Sequence, residues 1–163
     1  MSFEVIPCKN TVQEYGEIVS LLYEVFVNEG YTEKPVAEKM FTPEELKQRG
    51  EILLAKLDAK LAGMIIFSPP SIIPRQIANP DEAEIRLLAV YPKYRGKGIA
   101  TSLLLACEKR ATESGYFKTV LSTQNTMHDA HRIYEKHGYQ RNPSRDWKRG
   151  QDKIFYVYEK SLQ

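Results

Sequence analysis

The chain contains few of the residues that mark several common classes of protein. It has two cysteines and three histidines among 163 residues, and neither Cys8 nor Cys107 stands in a spacing typical of a metal site or a redox pair. We therefore expect reduced, structural thiols and no bound metal. No apolar run approaches the length of about 18 residues that a membrane span needs, and no charged-then-apolar leader opens the sequence. These absences predict a cytoplasmic protein without a membrane partner.

An excess of charge of one sign is also missing. The formal net charge is +2, and the basic residues are spread along the chain instead of forming one stripe. Nucleic acid is therefore not an expected partner. A length of 163 residues with 42% hydrophobic residues is ordinary for one globular unit, so we predict a single domain over residues 1–163.

The most informative segment is residues 84–101, with the sequence EIRLLAVYPKYRGKGIAT. An apolar strand runs through a short basic turn directly into an amphipathic helix, whose first N–H groups and dipole favour an anion. Gly96 and Gly98 allow a phosphate to approach the backbone closely. Positive charge surrounds the same turn from Lys93, Arg95 and Lys97. The segment therefore predicts a site for a pyrophosphate.

Two common phosphate motifs fit this turn less well. The G-x-x-x-x-G-K-[ST] spacing is absent, and the third glycine of a dinucleotide fingerprint is replaced by Thr101. The run Arg95-x-x-Gly98-x-Ala100 instead has the form [Q/R]-x-x-G-x-[G/A]. Together with the preceding Leu88-Ala-Val90 strand, it resembles the acetyl-CoA site of the GNAT superfamily of N-acetyltransferases. A second run, AHRIYEKHGY at residues 130–139, is similar to the A-x-x-[LI]-Y-E-K-x-G-[FY] motif of the same family.

Hydrophobic periodicity predicts the element order β-α-α-β-β-β-α-β-α-β-β. A strand at Phe3 to Cys8 precedes a helix from Thr11 to Glu29, and Thr42-Pro43 begins a second, short helix after an irregular stretch. The segment from Ser68 to Asp81 contains four prolines and predicts an extended surface loop. The other predicted elements are a hairpin of Ile52 to Leu57 and Leu61 to Phe67, a helix that ends at Gly115, a strand from Phe117 to Ser122, a helix from Met127 to His137, and strands at Tyr139 and at Ile154 to Tyr158.

The resemblance implies an α/β fold of the GNAT-like acyl-CoA N-acyltransferase type, with a central mixed sheet splayed at the CoA site and flanked by helices. It implies acetyl-CoA as co-substrate, with the N–H of Leu88 polarising the thioester carbonyl and the turn binding the pyrophosphate. Many relatives have asparagine where this chain has Met127, and Asn125 either substitutes for it or leaves that contact unmade. The implied cofactor-binding residues are Leu88, Ala89, Val90, Arg95, Gly96, Lys97, Gly98, Ile99, Ala100, Thr101 and Asn125.

Transfer of an acetyl group to an amine requires a base, because an amine with a pKa of about 10.4 is almost fully protonated at pH 7. Glu84 is the candidate base, and period-2 alternation predicts that it shares a face with Leu88. Four residues of strand span roughly 13 Å, so the proton would travel through water. The alternatives for Glu84 are a solvated carboxylate or a partner of Arg86. The resemblance supports the base, since some members use a glutamate at this position and others lack it.

Tyr134 is the candidate acid for the departing thiolate, because a phenol stays protonated at neutral pH. Its family position agrees, although it also falls on the apolar face of its helix, where simple packing is the alternative. His128, His131 and His137 are weaker candidates, and His131 is predicted to lie off the buried face.

The resemblance implies an amine acceptor that is a small molecule or a peptide. Its pocket is expected in the irregular segments 30–41, 68–81 and 142–152, the last containing Trp147. Four acidic residues in or directly beside these segments either attract a cationic amine or are ordinary solvated surface: Glu29, Glu33, Glu38 and Asp146. The main alternative function is a CoA-binding sensor without turnover. A longer acyl donor, an oxygen acceptor or a nucleotide ligand also remain open, and the last aromatic strand offers a surface for a homodimer.

Overall fold

Eight strands form one mixed sheet in the computed structural model, which describes residues 2–70 and 77–162. They follow the order β1-β2-β3-β4-β5-β8-β6, and β7 also pairs with β8. The β4 and β5 strands are parallel, while the other pairs are antiparallel. The strands are β1 Phe3–Pro7, β2 Glu51–Leu57, β3 Lys60–Ser68, β4 Glu82–Val90, β5 Lys118–Gln124, β6 Gln140–Arg141, β7 Trp147–Arg149 and β8 Lys153–Ser161.

Local capping signals explain where the first helices begin. The Thr11 hydroxyl accepts the N–H of Glu14, and the Glu14 carboxylate accepts the N–H of Thr11, which is a reciprocal capping box. Thr42 accepts the N–H of Glu45 ahead of the third helix. The helices are α1 Val12–Leu22, continued by a π-helical turn at Tyr23–Val27, α2 Lys34–Met40, α3 Pro43–Gln48, α4 Ile99–Glu113 and α5 His128–Lys136.

Each face of the sheet buries an apolar core. The first core, which includes Ile85, Leu103 and Tyr158, packs α4 and α5 against one face. The second core, which includes Ile18, Leu22 and Ile66, packs α1 to α3 against the other. The two faces hold the sheet between helices, so the predicted α/β class is confirmed.

Both cysteines are free thiols, as the sequence predicts. Cys107 is fully buried in the first core, and burial raises the pKa of its thiol. Cys8 is half-buried, and its Sγ lies 3.7 Å from Glu14 Oε1. A buried protonated thiol is unreactive, so Cys107 serves packing.

The predicted order of elements is confirmed with two additions, α2 and β7. Ala37 is the only buried residue of α2, so this seven-residue helix has no apolar stripe to reveal it. The first helix also ends earlier than predicted, at Val27, after its π-helical turn. Residues 71–76 of the predicted proline-rich loop lie outside the described residues.

Candidate active site

The sheet opens into a cleft between β4 and β5. Parallel pairing runs from Glu82 opposite Lys118 to Ile85 opposite Leu121 and then stops. Beyond that point, β5 continues to pair with β8 only, and β4 with β3 only. The predicted splay of the sheet is therefore present. Its walls include residues from both strands, from α5, from β7 and β8, and from the segments that follow α1 and α3.

A bulge in β4 changes which residues share a face. Leu87 has a φ of 50°, and the register with β3 shifts between Met64 and Ile66. Leu88 packs on the first core, on the side of Ile85, whereas Leu87 packs on the second core. The prediction that Glu84 and Leu88 share a face is wrong, because the extra residue of the bulge reverses the alternation.

Glu84 is almost completely buried at the mouth of this splay, with an exposed fraction of 1%. Its Oε1 accepts the backbone N–H groups of Ile77 at 3.0 Å and of Ala78 at 3.1 Å. Its Oε2 lies 3.3 Å from Arg86 Nε. The carboxylate is thus held in one orientation, with both backbone donors on one oxygen and the guanidinium beside the other.

Tyr134 projects from α5 into the same cleft. Its ring packs 6.0 Å from that of Tyr139 and 5.8 Å from that of Tyr158, measured between centroids. Among the described residues, its hydroxyl has no hydrogen-bond partner. Burial, with a smaller effect of Tyr158, raises the pKa of Tyr134, so the phenol keeps its proton at neutral pH.

Two of the three histidines, His131 and His137, make contacts that join elements of the fold. His131 is buried, which corrects the prediction that it lies off the buried face of α5; its ring packs on Tyr156 and Tyr158, and Nε2 lies 3.0 Å from the carbonyl oxygen of Gln124. His131 is buried because β8 packs against its side of α5 through Tyr156 and Tyr158. His137 Nε2 lies 2.8 Å from Thr101 Oγ1, which joins the end of α5 to the first turn of α4.

The basic turn has the geometry of an anion site. Gly96 and Gly98 have φ values of 80° and 82°, and the first intrahelical bond of α4 runs from the N–H of Ser102 to the carbonyl of Gly98 at 3.1 Å. The N–H groups at the start of the helix, those of Ile99, Ala100 and Thr101, consequently have no intrahelical acceptor. A Cβ atom added at Gly96 or Gly98 would meet no atom within 4 Å among the described residues, so the space directly beside these backbone positions is open.

Arg95 pairs with Glu29, one of the acidic residues considered for attracting an amine. Its guanidinium forms a two-pronged contact with Glu29, at 3.3 Å and 2.9 Å, and its Nε donates to the carbonyl of Val90 at 3.3 Å. The Asp146 carboxylate is also engaged, by the Val157 N–H and by Arg141. Only Glu33 and Glu38 of the four acidic residues are exposed without an ion pair among the described residues.

The other predicted cofactor residues lie at different distances from the cleft and the turn. Ala89 and Val90 follow Leu88 on the part of β4 that pairs only with β3, so their backbone borders the splay. Asn125 follows β5 and donates its N–H to the carbonyl of Ile154 at 2.9 Å, and it does not line the cleft, whereas Met127 does. Lys97 is exposed beside the turn.

Sequence patterns missed two cleft residues, Arg49 and Arg149. Arg49 follows α3 and Arg149 ends β7, so they are distant in sequence and carry no motif. Trp147, which was expected near the acceptor, stacks on Phe155 at 4.2 Å and donates its indole N–H to Ser122 Oγ at 2.9 Å. It therefore supports the cleft wall that β5 and β8 form.

Two kinds of site are absent from the described residues. None of the helices described is long and apolar enough to cross a membrane. In the same residues, no group of three or more histidine, cysteine, aspartate or glutamate side chains is arranged to hold a metal ion.

Solved structures share this fold over almost the whole chain. Paia N-acetyltransferase from Thermoplasma acidophilum, in complex with coenzyme A, has a TM-score of 0.77 at 20% identity, covering 99% of this chain and 100% of that chain. An acetyltransferase of the GNAT family from Staphylococcus aureus Mu50 has a TM-score of 0.77 at 16% identity, covering 99% and 100%. The splayed mixed sheet is therefore the acyl-CoA N-acyltransferase fold, as predicted.

Sequence comparison then identifies the family. The model of the acetyltransferase (GNAT) family matches residues 15–139, and the chain belongs to that family. Aminoalkylphosphonate N-acetyltransferase from Salmonella typhimurium is 41% identical over 59 residues, which are 36% of this chain and 38% of that relative. The chain thus matches less than two fifths of the curated relative. The family predicted from the two motifs is confirmed.

Proposed function

We propose that the protein transfers an acetyl group from acetyl-CoA to a primary amine of a small molecule or peptide by direct attack. The observation that carries this proposal is the opening between β4 and β5, which has unpaired strand backbone on one side and leads to the glycine turn before α4. A pantetheine chain has amides that suit such a strand edge, and a pyrophosphate suits the turn. The curated relative named for aminoalkylphosphonate N-acetylation supports an amine acceptor.

In this proposal, the amine nitrogen attacks the thioester carbonyl carbon, and the carbonyl oxygen gains negative charge. The backbone N–H of Leu88 stabilises that oxygen, as an oxyanion donor does. Collapse of the tetrahedral intermediate breaks the carbon–sulfur bond and releases CoA as a thiolate. The amine nitrogen loses one proton on the way to the amide, and the thiolate takes up one proton to leave as the CoA thiol.

We assign those protons to Glu84 and Tyr134. Within residues 2–70 and 77–162, Glu84 Oε2 has no backbone donor, and in this proposal it receives the amine proton through water. Tyr134 lies in the cleft with a protonated phenol and gives its proton to the thiolate. The ion pair with Arg86 keeps the Glu84 carboxylate in place for this step.

Acetyl-CoA consumption tests the proposal when it is combined with mass spectrometry of small amines, amino acids, polyamines and peptides, and with calorimetry of CoA binding on the same preparation. An acetylated amine with the mass of one added acetyl group supports the transfer. CoA binding without any acetylated product would favour the sensor alternative. Failure to bind CoA would reject the proposal.

A further inference from the structure

Among the described residues, three arginines line the active-site cleft against one carboxylate. Arg49 reaches it from the end of α3, Arg86 from β4 and Arg149 from the end of β7, while Glu84 is the acidic residue of the lining. An acceptor that carried only a positive amine would meet an excess of positive charge there. The cleft therefore has the wrong sign for a simple cationic substrate.

Two of these arginines differ from the other arginines of the chain. In residues 2–70 and 77–162, Arg49 and Arg149 are the arginines without a carboxylate oxygen within 4.0 Å. Arg149 instead donates to Met40 Sδ at 3.9 Å, and its guanidinium lies 4.9 Å from the ring centre of Phe155. The remaining arginines pair with acids: Arg86 with Glu84, Arg95 with Glu29, Arg110 with Glu51, Arg132 with Asp129, Arg141 with Asp146 and Arg145 with Glu82.

The positive charges also lie close enough to repel one another. Burial lowers the pKa of Arg49, and the charges of Arg86 and Arg149 lower it further, while Glu45 acts in the opposite direction. Burial lowers the pKa of Arg149 as well. Partly buried like charges destabilise a fold unless an anion offsets them.

We infer that the acceptor amine carries an anionic group, a carboxylate, phosphonate or phosphate, and that Arg49 and Arg149 bind that group. The inference rests on the proposed function, because it concerns the acceptor of the same transfer. A guanidinium fork matches two oxygens of such a group, which makes arginine better suited than lysine. The anion at these arginines leaves the amine of the acceptor to face Glu84 and the thioester.

Three amines of similar length test the charge requirement: 2-aminoethylphosphonate, β-alanine and uncharged propylamine. Each is assayed for kcat/KM with the native protein and with the variants Arg49→Met and Arg149→Met. We expect at least one anionic amine to exceed propylamine by about one hundredfold, since two charged contacts are involved. Each variant lowers the ratio of anionic to neutral kcat/KM by about ten- to one-hundredfold, mainly through KM. Comparison of the two anions identifies which group the site prefers.

Arg132→Met is the matched control, because Arg132 is exposed on α5 and pairs with Asp129. It removes one positive charge away from the cleft and leaves the ratio unchanged. Arg49→Lys retains the charge without the fork and gives an intermediate ratio. Circular dichroism and calorimetry with CoA on every variant separate loss of folding from loss of recognition.

The outcomes separate the inference from the function on which it rests. Acetylation of propylamine as fast as of both anions would overturn the inference and leave the acetyltransferase intact. A loss of CoA affinity in Arg49→Met and Arg149→Met, with an unchanged ratio, would assign the arginines to the donor and also overturn it. CoA binding without acetylation of any of these three amines would overturn the inference, and the wider amine panel would then decide between transfer to another acceptor and the sensor alternative.

Discussion

Replacement of Gly98 by glutamate should abolish CoA binding while the protein remains folded. Gly98 caps α4 with a φ of 82°, in the left-handed region, and a Cβ atom there would meet no atom within 4 Å among the described residues. A non-glycine residue in this region costs about 1–2 kcal/mol. That cost is small beside the roughly 5–15 kcal/mol by which a domain is stable, and no clash adds to it.

The effect on binding is expected to be much larger than the effect on stability. The new carboxylate occupies the open space in front of the N–H groups of Ile99, Ala100 and Thr101, where we expect the pyrophosphate. A hydrogen bond to a charged group contributes about 1.5–3 kcal/mol. The loss of two such bonds weakens binding by about 10²- to 10⁴-fold, before repulsion between the two anions is included.

Calorimetric titration with CoA measures the change, and thermal unfolding measures stability. Gly115→Glu is a matched control, because Gly115 has a φ of 87° and open space at the opposite end of α4. It carries the same strain and the same charge but leaves CoA affinity unchanged. Gly98→Ala separates strain from charge and should retain most of the affinity. Native CoA affinity in Gly98→Glu would refute the assignment of the phosphate to this turn.

Three further predictions concern titratable side chains, two in the proposed reaction and one in the stability of the fold. Tyr134→Phe lowers turnover by about ten- to one-hundredfold with little change in CoA affinity, because only the phenolic hydroxyl is removed. Steady-state kinetics measure the turnover, and CoA titration measures the affinity. Glu84→Gln lowers turnover most at neutral pH and recovers as rising pH deprotonates the amine directly, which a pH–rate profile measures. Burial lowers the pKa of His131 from 6.5, so the unfolded chain binds the proton more tightly. Stability from neutral His131 is therefore complete above pH 6.5 and declines below it, and the difference in Tm between the native protein and His131→Asn shrinks on acidification.

Each of these predictions has an outcome that contradicts it. An unaltered rate in Tyr134→Phe would return this side chain to a packing role. An equal loss in Glu84→Gln at every pH would mean that the carboxylate positions Arg86 instead of accepting a proton. A Tm difference for His131→Asn that is constant between pH 7.5 and pH 5 would show that the histidine is not held neutral.

Elements with local signals could be predicted from the sequence. Thr42 followed by Pro43 marks the start of α3, and Gly115 and Gly138 with positive φ follow the ends of α4 and α5. The glycine turn before α4 is equally local, because the backbone conformation itself requires glycine. These signals need no knowledge of distant residues.

Features set by tertiary packing could not be predicted in the same way. The positive φ of Leu87 has no signature in the sequence, since leucine is unusual in that region and the surrounding sheet holds it there. The bulge therefore reversed the expected face of Leu88. Arg49 and Arg149 enter the cleft from segments 100 residues apart, and only the fold brings them together.

The position of β8 has a consequence for the way the chain reaches its fold. Among the described strands, β6 and β7 pair only with β8, and β5 depends on β8 for one whole edge. During synthesis, β1 to β4 can form their antiparallel ladder early, whereas residues 140–149 have no strand to join until Lys153–Ser161 emerges. A ribosome that stalled before Lys153 would hold β5 with an open edge, which favours pairing with another nascent chain.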